Sequence, residues 1–253
     1  MLVIRGLTKY FGGLAAVHDL DLDVERGMLV GLIGPNGAGK TTVFNLLTGF
    51  LRPSAGSVVF EGRDITGKPP HYISRCGIVR TFQTPALYEE FTVFENVTSA
   101  VLARCRFGLW SALCRGTLNR LLSRGLAEKV TGILRLFGLE ELEHEVVRGL
   151  THGYKRILGI AIAFACEPKL LLLDEPLSGM NAEETNRCSS LIRSIWERGT
   201  AILLIEHNMR AAMKLCQKIV VLETGRKICE GSPEEVRKSE RVIRAYLGEG
   251  RRA

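Results

Sequence analysis

The sequence predicts an α/β fold with a mainly parallel core sheet, an N-terminal antiparallel β region and an inserted helical lobe. Met28 to Ile33, Leu170 to Leu173 and Ala201 to Ile205 are apolar throughout and helical patterns separate them. Runs that are apolar on both faces are typical of central strands in a parallel sheet covered by helices. Apolar and polar residues alternate instead from Val17 to Val24, as in a strand with one face in water. From Val93 to Glu145 the apolar residues recur at helical spacing.

The remaining elements follow the same patterns. Ser57 to Phe60 is a β-rich run bounded by glycines, and Ile78 to Phe82 and Ile219 to Leu222 are two more apolar strands. Ser232 and Pro233 come three and two residues before Glu235, which is the pattern of a helix N-cap followed by Pro at the first helical position. A final helix is therefore predicted to begin there.

Composition narrows the class of protein. A chain of 253 residues with 46% hydrophobic content is long enough to bury a full core. The seven cysteines are an odd number without CxxC spacing, so neither a zinc site nor a disulfide framework is indicated, and a reducing cytosol fits best. No apolar stretch approaches the roughly 20 residues that span a bilayer, and no signal-peptide pattern is seen at the N-terminus. We expect any membrane role to go through a partner.

A phosphate-binding loop is predicted between a buried strand and a helix. The loop matches G-x-x-x-x-G-K-[ST] and consists of Gly34, Pro35, Asn36, Gly37, Ala38, Gly39, Lys40, Thr41 and Thr42. Its glycines let backbone N–H groups turn towards phosphates, and the following helix adds partial positive charge at its N-terminus. Lys40 is predicted to reach the β- and γ-phosphates, and the Thr41 hydroxyl to ligate Mg²⁺.

Two carboxylates follow a second buried strand. Asp174 and Glu175 come directly after Leu170 to Leu173, at the edge of an open α/β sheet where ligands bind. Asp174 is predicted to face Mg²⁺. Glu175 is predicted to accept a proton from a water that attacks the γ-phosphate, a role typically worth roughly 10² to 10⁴ in rate.

Six motifs occur together in a fixed order. They are Gly34 to Thr42, Gln83, Leu150 to Tyr154, Leu170 to Glu175, Ser178 to Asn181, and His207. In content, order and approximate spacing they resemble the nucleotide-binding domain of ABC transporters, over essentially the whole chain. The resemblance implies a P-loop NTPase fold and an ATPase that works as a dimer, with two Mg·ATP at the interface.

The resemblance also implies roles for three further residues. Gln83 is similar to the glutamine that senses Mg²⁺ and the attacking water and links the site to the membrane partner. His207 is similar to the switch histidine that contacts the γ-phosphate. Phe11 stands where the family places an aromatic residue on adenine, and Tyr10 beside it is the alternative.

The signature segment departs from the usual LSGGQ pattern. Thr151 keeps a hydroxyl and Gly153 keeps the position where backbone approaches a phosphate closely, whereas His152 and Tyr154 differ. In the family this segment completes the site of the opposite subunit. Thr151 is also a suitable N-cap, and that structural role is compatible with the functional one.

Details of the sequence resemble one subgroup, the ATPase subunits of branched-chain amino acid importers. The segments that carry this resemblance are Phe11 to Val17, Arg80 to Gln83, Ile205 to Met209 and Ile243 to Glu249, together with Asn181 where many relatives have Asp. Importers for urea and short amides share much of the pattern, and a soluble ABC ATPase that does not take part in transport is a third possibility.

The resemblance implies partners and a location. We expect a second ATPase subunit, identical or a sister chain, and integral-membrane permease subunits, with an extracytoplasmic solute-binding protein acting indirectly. The chain is then peripheral, on the cytoplasmic face of the cell membrane. The surplus of 34 basic over 27 acidic residues is ordinary for a solvated surface. No nucleic acid partner is expected, because ABC ATPases that act on DNA or ribosomes usually carry long coiled coils, zinc modules or two tandem nucleotide domains, and the sequence shows none of these.

The expected organisation is a single ABC ATPase domain over residues 1–253. Residues 1–92 and 159–253 form the P-loop core with the antiparallel region and the C-terminal helix, and residues 93–158 form the helical lobe with the signature segment. Five arginines in the lobe surround the apolar stretch Phe107 to Cys114 and face either anionic lipid, the permease or solvent. They are Arg104, Arg106, Arg115, Arg120 and Arg124.

Overall fold

A computed structural model of the protein describes residues 1–104 and 117–247, without the side chains of residues 104–123 and 247. Phe107 to Cys114 and the side chains of Arg104, Arg106, Arg115 and Arg120 lie outside this description, as do Gly248 and Glu249. The chain divides into two compact units. The first contains Met1–Arg80, Lys169–Ser178 and the described part of Ile192–Ala253, and the second contains Thr81–Pro168 and Gly179–Leu191.

The first unit contains the predicted antiparallel region. Its four strands are β1 (Leu2–Phe11), β2 (Leu14–Val24), β4 (Ala55–Phe60) and β5 (Arg63–Asp64), in the order β2-β1-β4-β5. All three ladders are antiparallel. Buried and more exposed residues alternate along the second half of β2. The alternation in the sequence therefore reflects a strand with one buried face and one face towards water, as predicted.

The central sheet of the same unit has six strands in the order β10-β9-β3-β8-β7-β6. Its strands are β3 (Leu29–Ile33), β6 (Ile78–Arg80), β7 (Leu170–Asp174), β8 (Ala201–Glu206), β9 (Lys218–Glu223) and β10 (Arg226–Gly231). Only the β9–β10 ladder is antiparallel. Every residue of β3, β7 and β8 is buried, which confirms the interpretation of the apolar runs.

The helices of the first unit include the one predicted after the phosphate loop and the one predicted after Ser232. They are α1 (Lys40–Leu47), α2 (Pro70–Cys76), α7 (Met209–Leu215), α8 (Pro233–Lys238) and α9 (Glu240–Leu247). The predicted N-cap of α8 is confirmed, because the Ser232 hydroxyl accepts from the Glu235 N–H and the Glu235 carboxylate accepts from the Ser232 N–H at 2.7 Å.

The second unit is helical, as predicted. It contains α3 (Val93–Arg104), α4 (Thr117–Phe137), α5 (His152–Ala165) and the first turns of α6 (Ala182–Glu197). Val97, Val130, Leu134 and Leu158 are buried between these helices. Within the described part of the chain, no helix has both the length and the apolar character needed to cross a membrane.

One predicted strand end is wrong. The strand β6 stops at Arg80 instead of Phe82, because its ladder with β7 ends at the pair Arg80 and Leu172. Gln83 therefore lies three residues beyond the strand, in a bend of the second unit. The partition into residues 1–92, 93–158 and 159–253 stays a prediction.

Candidate nucleotide-binding site

The loop Gly34 to Thr42 lies between β3 and α1, as predicted. Gly37 and Gly39 have φ of 76° and 99°, in the left-handed region that favours glycine. A Cβ atom on Gly39 would lie 2.3 Å from the carbonyl oxygen of Ala16, so only glycine fits there without moving the backbone of β2. The loop is therefore held in its shape by the strand beside it.

Lys40 folds back over the loop. Its side chain is buried, and Nζ donates to the carbonyl oxygens of Gly34 at 2.6 Å and Pro35 at 2.9 Å. Thr41, the next residue, is exposed in the first turn of α1. A cation and a hydroxyl thus stand together at the N-terminus of a helix, where an anion is stabilised.

A cavity of about 290 Å³ opens over this loop. Its lining comprises Leu14, Ala15, Ala16, Asn36, Gly37, Ala38, Gly39, Lys40, Thr41, Thr42, Glu175, Thr224 and Gly225. Sequence reasoning found the loop and Glu175, and it missed the start of β2 and the turn between β9 and β10. That turn contacts the loop directly, because the Gly225 N–H donates to the carbonyl of Ala38 at 3.1 Å.

Asp174 ends β7 with its side chain almost fully buried. Its Oδ2 accepts from Nη2 of Arg80 at 2.7 Å, and the two side chains are 7% and 6% exposed. Arg80 also donates to Oδ1 of Asn45 on α1 at 2.7 Å. Sequence reasoning used Arg80 only as part of a subgroup pattern, since no local signal indicates which carboxylate a distant arginine will meet.

Glu175 lines the cavity from a strained backbone position. Its φ is 47°, which for a residue other than glycine costs on the order of 1 to 2 kcal/mol. The strain is offset in part by the hydrogen bond from its N–H to the carbonyl of Ile205 at 3.0 Å. Nδ1 of His207 lies 3.8 Å from Oε2 of Glu175, beyond hydrogen-bonding distance, and the His207 side chain is half exposed.

Glu206 is a buried carboxylate that sequence reasoning did not single out. It is fully buried at the end of β8, and its Oε1 accepts from the N–H of Leu177 at 3.0 Å. Burial raises the pKa of Glu206, an effect that the Leu177 N–H and the neighbouring His207 oppose. The carboxylate holds the segment that follows Glu175.

The remaining predicted site residues lie in the second unit. Gln83 is exposed, and Thr151 is the N-cap of α5, where its hydroxyl accepts from the Tyr154 N–H at 3.5 Å. Gly153 is buried, and a Cβ atom there would lie 2.3 Å from Oε1 of Glu184. The end of the Glu184 side chain would therefore have to move aside to admit a larger residue at position 153.

Tyr154, the unusual residue of the signature segment, has a defined partner. The Arg187 guanidinium lies 5.0 Å from the centre of its ring, and Nη1 donates to its hydroxyl at 3.1 Å. Nη2 of Arg187 donates to the carbonyl of Gly138 at 2.6 Å. Tyr154 thus joins the start of α5 to α6 and to the turn after α4.

The two aromatic candidates for adenine are both about half exposed. Tyr10 and Phe11 end β1, and neither lines the cavity described above. Lys9 places Nζ 5.3 Å from the centre of the Phe11 ring, while Tyr10 contacts His18 edge-on at 6.4 Å between centroids. Leu14, which does line the cavity, pairs with Phe11 across the hairpin. Phe11 as the adenine contact stays a prediction.

The residues present fit a nucleoside triphosphate with Mg²⁺. The loop offers turned backbone, a buried lysine and a helix N-terminus, which together suit a polyphosphate. Among residues 1–104 and 117–247, no cluster of three or more His, Cys, Asp or Glu side chains is placed to hold a metal alone. Mg²⁺ normally takes one or two protein oxygens together with substrate phosphates and water, so Thr41 and Asp174 are a suitable set.

A phosphate loop at the carboxyl edge of a parallel sheet, with a carboxylate in the same cavity, defines a nucleotide-hydrolysing cassette. The family model described as ABC transporter matches residues 17–178, and the model described as branched-chain amino acid ATP-binding cassette transporter matches residues 226–252. The chain belongs to the ABC transporter family, as an ATP-binding subunit. The family resemblance drawn from the six motifs is confirmed.

Relatives match the chain from end to end. It is 41% identical over 251 residues to the high-affinity branched-chain amino acid transport ATP-binding protein LivG of Escherichia coli K12, with 98% of each chain covered. The corresponding protein BraF of Pseudomonas aeruginosa is 40% identical, also with 98% of each chain covered. The subgroup resemblance is thereby confirmed.

Solved structures confirm the fold. The ADP conformation of MJ1267, an ATP-binding cassette of an ABC transporter, superposes with a TM-score of 0.84 at 29% identity, covering 98% of each chain. A nucleotide-free cassette gives a TM-score of 0.82 at 29% identity, covering 97% of this chain and 98% of that one. The chain is therefore a nucleotide-binding ATPase of this fold.

Glu206→Gln tests the buried carboxylate. Burial raises the pKa of Glu206 in the folded chain above its ordinary value, so the folded chain binds this proton more tightly than the unfolded chain. The stability that results is complete below the ordinary carboxyl pKa and is lost as the pH rises through the folded-state pKa. Glutamine keeps the acceptor for Leu177 and does not ionise. We expect the variant to gain free energy of unfolding relative to the wild type between pH 5 and pH 8, measured by urea denaturation. Glu141→Gln, at an exposed carboxylate, is the control and should not gain in this way.

Phe11→Ala and Tyr10→Ala test the adenine contact. Stacking of a base on an aromatic ring is typically worth about 1 to 3 kcal/mol, so loss of the stacking residue weakens ATP binding by roughly tenfold or more. We expect the larger loss for Phe11→Ala in a fluorescent-nucleotide competition assay, and near-normal binding for Phe11→Tyr. The reverse order would move the adenine contact to Tyr10.

Proposed function

We propose that this chain hydrolyses ATP to drive import of branched-chain or related hydrophobic amino acids through membrane permease subunits. The observation that carries the hydrolytic part is that Lys40, Thr41 and Glu175 line one cavity. The end-to-end similarity to LivG and BraF supports the solute class. Importers of urea or short amides remain the alternative solute class.

The triphosphate is bound by the loop Gly34 to Thr42. Backbone N–H groups and the N-terminus of α1 stabilise its negative charge, and Lys40 neutralises the β- and γ-phosphates. Thr41 and Asp174 would hold the metal, and Gln83 is the third predicted ligand. Bound Mg²⁺ would offset the negative charge that develops on the phosphates during hydrolysis.

Glu175 is the proposed general base. Its carboxylate lines the phosphate cavity, and the strained backbone at this residue supports a functional role, since strain of this kind concentrates at active sites. It accepts a proton from the water that attacks the γ-phosphorus, as a new P–O bond forms and the bond from that phosphorus to the β–γ bridging oxygen breaks with ADP as the leaving group. His207 contacts the γ-phosphate from its half-exposed position after β8 and completes the arrangement.

A second ATPase subunit completes the site. Thr151 and Gly153 begin α5, whose N-terminus stabilises a phosphate of the opposite subunit by its dipole. The capping bond from Tyr154 to Thr151 is long, at 3.5 Å, so the hydroxyl is weakly engaged within its own chain. Closure of two subunits around two Mg·ATP, followed by hydrolysis and opening, would supply the mechanical step.

The second unit carries a surface suited to the permease. Phe82, Tyr88 and Phe91 are exposed aromatic residues on the segment that includes Gln83. The rings of Tyr88 and Phe91 stack with their centroids 5.1 Å apart, and clustered exposed apolar side chains are typical of protein interaction sites. Asn96, which is buried, holds this segment through hydrogen bonds with the backbone of Tyr88 in both directions at 3.0 Å. Docking there would hold the chain at the cytoplasmic face of the membrane.

Glu175→Gln separates hydrolysis from binding. The amide keeps the size of the side chain and cannot accept the proton, so we expect turnover to fall roughly 10²- to 10⁴-fold while ATP affinity is retained. Phosphate release and fluorescent-nucleotide binding measure the two quantities. A nucleotide-trapped dimer should accumulate in size-exclusion chromatography, and wild-type turnover would remove Glu175 from the base role.

Purification of the chain from its own membranes tests the transport role. We expect two multi-spanning permease proteins to co-purify, and the complex reconstituted in vesicles with its solute-binding protein to take up leucine, isoleucine or valine when ATP is inside. The complex with Glu175→Gln is the control and should not transport. Uptake of urea or short amides instead would change the solute, and recovery without any membrane protein would favour a soluble ATPase.

A further inference from the structure

We propose that Arg80 is a positioning residue that orients Asp174 and ties it to the phosphate-loop helix, so that the magnesium site has its geometry before nucleotide arrives. The inference rests on the proposed role of Asp174 at the metal. It concerns a residue that ends β6 and is not part of the phosphate loop or of the strand that carries Asp174.

The first observation is the buried ion pair. Nη2 of Arg80 donates to Oδ2 of Asp174 at 2.7 Å, and both side chains are more than nine-tenths buried. Two charges taken out of water gain enough attraction to offset desolvation only when their geometry is good and further hydrogen bonds satisfy the remaining groups. A pair of this kind holds a carboxylate in one orientation.

The second observation is what the other end of the guanidinium contacts. Nη1 of Arg80 donates to Oδ1 of Asn45 at 2.7 Å and lies 3.5 Å from Oγ1 of Thr48, both on α1. The guanidinium also lies over the ring of Phe44, 5.5 Å from its centre. One side chain therefore joins the end of β7 to the helix that begins at the phosphate loop.

This link connects the two proposed protein ligands of the metal. Thr41 lies four residues before Asn45 on α1, on the same face of the helix. Asp174 is at the other end of the Arg80 bridge. Mg²⁺ requires near-ideal octahedral geometry with short bonds, so the separation of these two oxygens matters more than it would for a larger ion.

A guanidinium suits this position and an ammonium does not. Its planar fork donates to Asp174 and Asn45 from two different nitrogens at fixed angles, while a lysine offers a single nitrogen on a flexible chain. Groups that orient a metal ligand from behind typically change metal affinity or activity by 10- to 100-fold when replaced. Loss of a salt bridge that only stabilised the fold would change the affinity for metal-bound and metal-free nucleotide equally.

Arg80→Lys is the principal test, read by titration of Mg²⁺ into the full chain with a fluorescent ATP analogue. We expect the half-saturating Mg²⁺ concentration to rise roughly 10- to 100-fold. The affinity for the same analogue in EDTA should change by less than about threefold, because the phosphate loop and Lys40 are intact. Arg5→Lys is the matched control, since Arg5 forms a similarly close pair with Asp23 at 2.6 and 2.8 Å but at an exposed position.

Asn45→Ala keeps the buried ion pair and removes the shortest contact between Arg80 and α1, the 2.7 Å hydrogen bond. It provides a second test in case Arg80→Lys fails to fold. We expect an intermediate rise in the half-saturating Mg²⁺ concentration, again without loss of affinity in EDTA. Equal losses with and without Mg²⁺, or unchanged Mg²⁺ dependence in a folded Arg80→Lys protein, would overturn the inference alone. A wild-type chain that failed to bind the analogue under either condition would contradict the proposed function as well.

Discussion

The hydrogen-bonded register of three neighbouring parallel strands is the constraint on which the site depends. Ile33 at the end of β3 pairs with Glu206 of β8, and Asp174 at the end of β7 pairs with Ile205 of β8. The strands are buried throughout, so polar groups are tolerated only where the strands end. The register then brings those ends to one edge of the sheet, where the phosphate loop also begins.

Two of the ionisable groups at this edge, Lys40 and Glu206, are buried and hydrogen-bond to backbone. Lys40 binds two carbonyls of its own loop, and Glu206 binds the N–H of Leu177 after Glu175. In a poorly solvated site such groups interact more strongly than on the surface, and leaving one unpaired is costly. The arrangement favours a site that is ordered before substrate binds, which is the condition under which electrostatic stabilisation is most effective.

In the second unit, the side chain of Tyr154 links neighbouring helices. Its signature segment departs from the common pattern at Tyr154, and the contacts of that residue with Arg187 bind α5 to α6 and to Gly138. The replacement therefore has an internal partner, which accounts for a large aromatic ring at this position. Solute recognition belongs to other subunits in the proposed complex, so the cassette's own chemistry is the same whichever solute is carried.

The sequence by itself determined the fold class, the phosphate loop, the two carboxylates at the end of β7 and the family. These features depend on local spacing, because periodicity, glycine placement and a strand followed by a helix are visible within short windows. The capping box at Ser232 and the N-cap at Thr151 were predictable for the same reason.

Only the tertiary structure decided the rest. The pairing of Arg80 with Asp174 joins residues 94 positions apart, and the contact of Gly225 with Ala38 joins two distant turns. The strand β6 ends at Arg80, where its ladder with β7 stops, although β7 itself continues to Asp174. No local pattern encodes which of many side chains will meet across a folded sheet, because that choice is made by strand order and register. The phosphate loop could be predicted from the sequence, whereas the contacts that orient the groups around it could not.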